Sequence, residues 1–214
     1  MKLLARERLD EAHIRWDLTI KGMHCFVAEG VVVHNTNSRV GNVLVDGQPE
    51  LVCGSHNHRR KLGTDSTYEL PLKIEGVKAL LESFSPRWED GDGRGEVVIY
   101  GEIYGAGTQK GFNYGEDEPT FRAFDIVVDG RYLDWDEFAG LCEMYDIEVA
   151  PILYEGPWDT EVVRQLVDGK STLTDGHIRE GVVIRLQEER FNQATGRTII
   201  KWKSDDYLTH KHGV

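Results

Sequence analysis

The run FRAFDIVVDGRYLDW, residues 121–135, reads as two β-type segments meeting at Asp129-Gly130. Asp-Gly between aromatic and β-branched residues signals a two-residue hairpin turn. Upstream, EVVIYGEIYG reads as a buried strand, and NSRVGNVLVDG and PELVCGS as two more. Downstream, EGVVIRL and RTIIKWK are expected to close the chain as strands. Three helices fall between. IEGVKALLESF places Ile74, Val77, Leu80, Leu81 and Phe84 at helical spacing, DWDEFAGLCEMYD is a second helix, and WDTEVVRQLVDG is a third. The third has Asp159 as N-cap and Gly169 just past its end. Ahead of Asn35, the runs IRWDLTI, HCFVA and VVV are short β segments separated by turns at Lys21-Gly22 and Glu29-Gly30. The expected class is therefore α+β with antiparallel strands dominating.

The 214 residues are 40% hydrophobic and 29% charged, and no run approaches the ~18 apolar residues that cross a bilayer. The opening MKLLARERLDEAH carries acids close behind a four-residue apolar stretch, which is unlike a secretory signal, so a cytoplasmic protein with no membrane partner is expected. Cys25, Cys53 and Cys142 are odd in number with no CxxC spacing, which argues against a disulfide framework and a zinc knuckle. The net charge of −12 argues against a general polyanion binder. Of the 25 basic and 37 acidic side chains, five of each lie in residues 1–35, so the whole acidic excess belongs to residues 36–214. There the basic residues bunch, at HNHRRK (56–61) and at Lys201, Lys203 and Lys211, consistent with a positive groove on an acidic body.

The junction VVVHNTN, residues 31–37, has chemistry of its own. An asparagine carboxamide can attack its own backbone carbonyl, close a succinimide and cut the following peptide bond, and an adjacent histidine can supply the proton. WDLTIKGMHCFVAEGVVVHN, residues 16–35, resembles the C-terminal signature of inteins. The resemblance implies protein splicing, in which Asn35 cyclises, His34 assists and Thr36 is the nucleophile that receives the upstream chain as an ester. It also implies that His24 and Asp17 help activate that nucleophile and polarise the scissile bond. Cys25 departs from the family, which often has asparagine there. The sequence contains no intein N-terminal half, so the expectation is a split intein that splices in trans. A truncated reading of a contiguous precursor is the competing explanation.

Downstream, YGEIYGAGTQKGFNYG, FRAFDI, REGVVIR and IIKWKSDDY, in that order, resemble motifs III, IIIa, IV and V of the covalent nucleotidyltransferases, and specifically RNA ligases. TNSRVG resembles the tail of the family's Lys-x-x-Gly-Thr-Asn motif, and HNHRRK the basic motif that follows it. The nucleophilic lysine would then lie four residues before Thr36, on another precursor. The resemblance implies a small β-rich intein fragment (1–35) and an ATP-grasp-like ligase domain (36–214) with antiparallel sheets and flanking helices. It implies ATP and a divalent ion, Mg2+ or Mn2+, as cofactors, with metal ligands unassigned. The partners it implies are RNA and an N-terminal precursor carrying the lysine.

The residue types suit that chemistry. Lys201 and Lys203, two apart on a strand, share a face on which both can neutralise phosphates. Glu102 suits a ribose hydroxyl, Phe124 can stack on adenine, and Glu180 suits a metal or lysine contact. Arg39 and Arg59 are phosphate candidates, with Arg60 adjacent to the latter. Lys73-Ile74-Glu75-Gly76 has the Lys-x-x-Gly pattern but falls in the first helix, too close to Glu102 to be the nucleophile. A DNA ligase, a capping-type nucleotidyltransferase and a non-catalytic nucleic-acid-binding relic remain alternatives.

Overall fold

The computed structural model describes residues 24–29, 37–55, 58–84, 95–108, 113–193 and 196–212, with the side chains of 24–29 and 210–212 outside that description. The strands are β1 (His24–Glu29), β2 (Asn37–Val45), β3 (Gln48–Ser55), β4 (Arg59–Arg60), β5 (Val97–Tyr104), β6 (Thr120–Val128), β7 (Arg131–Tyr132), β8 (Ile152–Pro157), β9 (Gly181–Leu186), β10 (Phe191–Asn192), β11 (Gly196–Arg197) and β12 (Ile199–Lys203). The helices are α1 (Glu75–Ser83), α2 (Trp135–Met144), α3 (Thr160–Val167) and α4 (Asp205–His212). No helix among the described residues is long and apolar enough to cross a membrane.

The six-stranded sheet, ordered β4-β3-β2-β5-β6-β7, is antiparallel throughout. The β6–β7 connection is the expected two-residue turn, with Asp129 at φ 50° and Gly130 at φ 77°, the left-handed pair that a type I′ turn needs. One face of this sheet presents Val40, Val97, Ile99, Phe121, Ala123 and Ile126 to α1 and α2, which contribute Val77, Leu80, Leu81, Phe138 and Cys142. Burial in this core pushes the Cys142 thiol up to about 12. Side-chain hydrogen bonds fix one end of each helix. Asn42 donates its side-chain amide to the carbonyls of Leu81 and Phe84 (3.2 and 2.8 Å) at the end of α1, and Asp134 and Glu137 close a capping box at the start of α2.

The four-stranded sheet is ordered β12-β9-β1-β8, and its outer face packs Val182, Ile184, Ile200 and Trp202 against Val163 and Val167 of α3. Asp159 caps α3 as expected, accepting from the backbone of Glu161 and Val162. Gly181 opens β9 at φ 143°, and a Cβ there would lie 2.1 Å from the Trp202 carbonyl, so no other residue fits where β12 crosses.

Three expectations need correction. The chain does not close on strands, because α4 follows β12 with Ser204 and Tyr207 buried at its start. Lys73 is not inside the first helix. It ends a separate 3-10 helix (Thr67–Lys73), and its exposed amine pairs with Asp65. The strand β8, ILYEGP, has no counterpart in the sequence reading above.

Candidate nucleotide site

The two sheets meet where Arg185 of β9 reaches Phe124 and Asp125 of β6. On the six-stranded sheet, strand register defines a row that runs Arg59, Gly54, Arg39, Tyr100 and Asp125, each the Cα partner of the next. A second row runs Asn37, Glu102 and Arg122. Directly opposed residues share a face, and this face is the one opposite Val40 and Ile99. Arg59 and Arg39 thus lie on the same side as Glu102, whereas Arg60, opposite Cys53, lies on the other side and stacks over Tyr68 at 5.6 Å. Arg59 forms an ion pair with Glu50 at the exposed rim.

Phe124 sits between the two rows because the ladder slips there. Gly101 pairs with Ala123 and Tyr100 with Asp125, which leaves Phe124 as the extra residue of a β-bulge. A bulge turns two successive residues toward one face and re-aims a side chain. Strict alternation would send Phe124 and Asp125 to opposite faces. The bulge brings both to the cleft.

Arg185 of β9 holds the bulge from across the cleft. Its guanidinium donates to the Phe124 carbonyl at 2.7 Å and pairs with Asp125 at 2.7 Å, and the Arg185 and Asp125 side chains are 5% and 6% exposed. Arg197 completes a quartet, binding Asp125 through two bonds (2.7 and 3.0 Å) and Glu189 at 2.7 Å, while Arg185 reaches Glu189 at 3.1 Å. The Arg197 guanidinium also lies 3.6 Å from the Tyr132 ring centroid. Burial works against the charged form of Arg197, but Glu189 and Asp125 outweigh it and hold the proton more firmly than usual. Burial likewise raises the Glu189 carboxyl, yet Arg197 and Arg185 pull it below the ordinary glutamate range. With two positive and two negative groups the cluster is balanced. It ties β6, β9 and β11 together, and breaking one member of such a buried set typically costs about 3–5 kcal/mol.

Lys201 and Lys203 stand on β12 opposite Val183 and Gly181 of β9, the same inward face from which Arg185 reaches the bulge. Both are exposed. Glu180, which precedes β9, is 1% exposed and accepts a hydrogen bond from the Tyr114 hydroxyl. Tyr114 is itself 2% exposed and held at φ 53°, a left-handed conformation that a bulky side chain adopts only when its surroundings impose it. Nearby, Tyr104 accepts from Arg122 Nε at 2.8 Å, and burial raises its phenol, against the opposing pull of Arg122. Among the described residues no three His, Cys, Asp or Glu side chains form a metal-holding group.

The structure therefore brings Arg39, Glu102 and Phe124 to one wall, Lys201 and Lys203 to the other, Arg59 to the rim and Glu180 to the β9 entrance. Asp17, His34, Asn35 and Thr36 lie outside the described residues, and of His24 only the backbone, as the first residue of β1, is described. The quartet and Tyr114 escaped the sequence reading. The one available signal was Asp125 itself, a carboxylate inside the otherwise apolar run AFDIVV.

The fold resembles solved ligases. It superposes on the Naegleria gruberi RNA ligase with a TM-score of 0.69 and 19% identity, covering 90% of this chain and 53% of that one. An archaeal ATP-dependent RNA ligase gives a TM-score of 0.51 at 18% identity, with 88% and 44% covered. The chain thus spans about half the length of the structures it matches. No curated protein matches it by sequence. The family model for RNA ligases matches residues 25–203, beginning inside β1, and the chain belongs to the RNA ligase family.

Proposed function

We propose that this chain is the C-terminal precursor of an ATP-dependent RNA ligase and becomes active by trans-splicing at Asn35–Thr36. The observation that carries the ligase reading is that the bulged Phe124 and Glu102 share one face of the six-stranded sheet, while the exposed pair Lys201 and Lys203 shares the face of the other sheet from which Arg185 reaches that bulge. That donor set fits a nucleoside triphosphate, with an aromatic face for the base, a carboxylate for the ribose and cations for the phosphates. The trans-splicing reading rests on the frame of the motif. In Lys-x-x-Gly-Thr-Asn aligned on Thr36-Asn37, Val32 stands in the lysine's place and Asn35 in the glycine's.

In the joined enzyme the lysine amine attacks the α-phosphorus of ATP, an N–P bond forms, the bond to pyrophosphate breaks, and the amine gives up a proton. AMP then passes to the 5′-phosphate of an RNA strand, and a 3′-hydroxyl displaces it to form the phosphodiester. Lys201 and Lys203 neutralise the charge that builds on the phosphates, while Arg185 and Asp125 keep Phe124 against the base. Glu180 is the residue that would hold a divalent ion, which would add further charge neutralisation at the phosphates. A site of one or two carboxylates plus substrate phosphates is the usual arrangement for Mg2+, and it needs no cluster of three protein ligands. For splicing, the Asn35 carboxamide closes on its own carbonyl and releases Thr36, whose ester with the upstream chain rearranges to an amide.

The test is to mix the chain with an N-terminal precursor that ends in Lys-x-x-Gly fused to an intein N-terminal half. The expected result is a joined product that seals nicks with RNA on the 3′-hydroxyl side much faster than all-DNA nicks. Equal sealing of all-DNA nicks moves the assignment to DNA ligase. Ordinary joined product from Asn35→Ala overturns the splicing assignment.

A further inference from the structure

β1 lies upstream of the Asn35–Thr36 junction, yet it occupies the interior of the four-stranded sheet. Cys25 to Glu29 pair with Leu186 to Val182 of β9, and His24 to Ala28 pair with Pro157 to Ile152 of β8. Among the described residues no other strand joins β8 to β9. Removing β1 would leave two facing rows of backbone N–H and C=O groups open, a template for another extended chain. The slot is also well placed. Its β9 wall is shared with the Lys201 strand, and the chain leaving it reaches β2 at Asn37, opposite Glu102.

Splicing after Asn35 discards the residues that fill this slot. We propose that the slot between β8 and β9 is a strand-exchange site. In this chain β1 plugs it, and in the joined enzyme it is filled by the partner's segment leading into the lysine. This rests on the trans-splicing reading above. The occupant's chemistry follows from the geometry: an extended segment of about six residues that bonds through its backbone on both edges, as in β-strand addition, with its lysine three residues past the strand, where Val32 stands after Glu29. The plug must leave before the partner's strand can enter. Pairing of residues 16–35 with an intein N-terminal half supplies the pull, so the sheet opens only when its replacement strand is tethered nearby.

Two full-length variants test this. Leu186 is the Cα partner of Cys25, and opposed residues in an antiparallel pair lie about 4.5–5.5 Å apart, within disulfide reach. Leu186→Cys, oxidised with a glutathione couple, is expected to lose two free thiols and to stop joining to the N-terminal precursor until reduced. Failure of the bond to form, or joining by the oxidised chain at the reduced rate, overturns the exchange. No joining even by the reduced chain and the parent overturns the splicing reading. The second variant, Val32→Lys with Asn35→Gly, cannot splice and sets the lysine directly behind β1. Given ATP radiolabelled at the α-phosphate, it is expected to retain label through denaturation, with release of pyrophosphate, while the parent retains none. If it binds ATP but takes no label, the slot assignment is wrong and the nucleotide site stands. If neither chain binds ATP, the nucleotide reading falls.

Discussion

The cleft holds two sets of charges that are treated in opposite ways. Asp125, Glu189, Arg185 and Arg197 are largely buried and satisfy one another through short contacts. Lys201 and Lys203, on the neighbouring strand, are exposed and form no ion pair with any described residue. The first set spends its charge inside the protein, fixing the walls and the bulge that carries Phe124. The second set keeps its charge available at the mouth. A chain with a net charge of −12 can in this way present local positive potential to a triphosphate or a nucleic-acid backbone.

The sharpest way to break the comparison is to exchange the consequences. Asp125→Ala leaves Arg185 and Arg197 to share Glu189 alone, with one buried positive charge uncompensated, and urea denaturation is expected to show a loss of about 3–5 kcal/mol. Lys201→Ala is expected to change stability by no more than about 0.5 kcal/mol, yet to slow AMP transfer in the joined enzyme by about 10² to 10³. Wild-type accumulation of lysine-linked AMP by Lys201→Ala would remove β12 from the chemistry. Phe124→Ala is next in size. Base stacking contributes about 1–3 kcal/mol and acts on ground and transition states alike, so the loss should fall on ATP affinity with little change in the chemical step. The smallest effect is in pH. Glu189 is held below its ordinary value of 4.5, so its contribution to stability is fully present above that value and is lost as pH falls through the lowered folded value. Glu189→Gln should flatten that part of the acid denaturation profile, and an unchanged profile would show that Glu189 does not act there.

Much of the frame was legible because local rules wrote it. The Asp129-Gly130 turn, the amphipathic α1 and the Asp159 cap each follow from a few neighbouring residues, and the structure has all three. The cleft was legible only as residue types. Period-two alternation is the one signal a strand gives in sequence, and the bulge at Phe124 breaks it. Arg185 and Arg197 meet Asp125 across 60 or more residues, a separation at which single-sequence patterns are silent. Tyr114 takes a left-handed backbone that tertiary contacts, not its own propensity, impose. The ambiguity between Arg59 and Arg60 resolved only through register, which places them on opposite faces. β1 is the most instructive case. HCFVA reads as a strand in the sequence, and it joins a sheet whose other three strands, β8, β9 and β12, all lie more than 120 residues downstream.

On the proposed reading, this chain carries the walls of a nucleotide cleft but not the lysine that reacts in it. The most direct measurement exposes the full chain alone to ATP labelled at the α-phosphate, reading equilibrium binding before denaturation and retained label after it. The account predicts reversible binding that is weakened by Phe124→Ala, with no label surviving denaturation. Covalent label on the unmodified chain, or no binding at all, would contradict it.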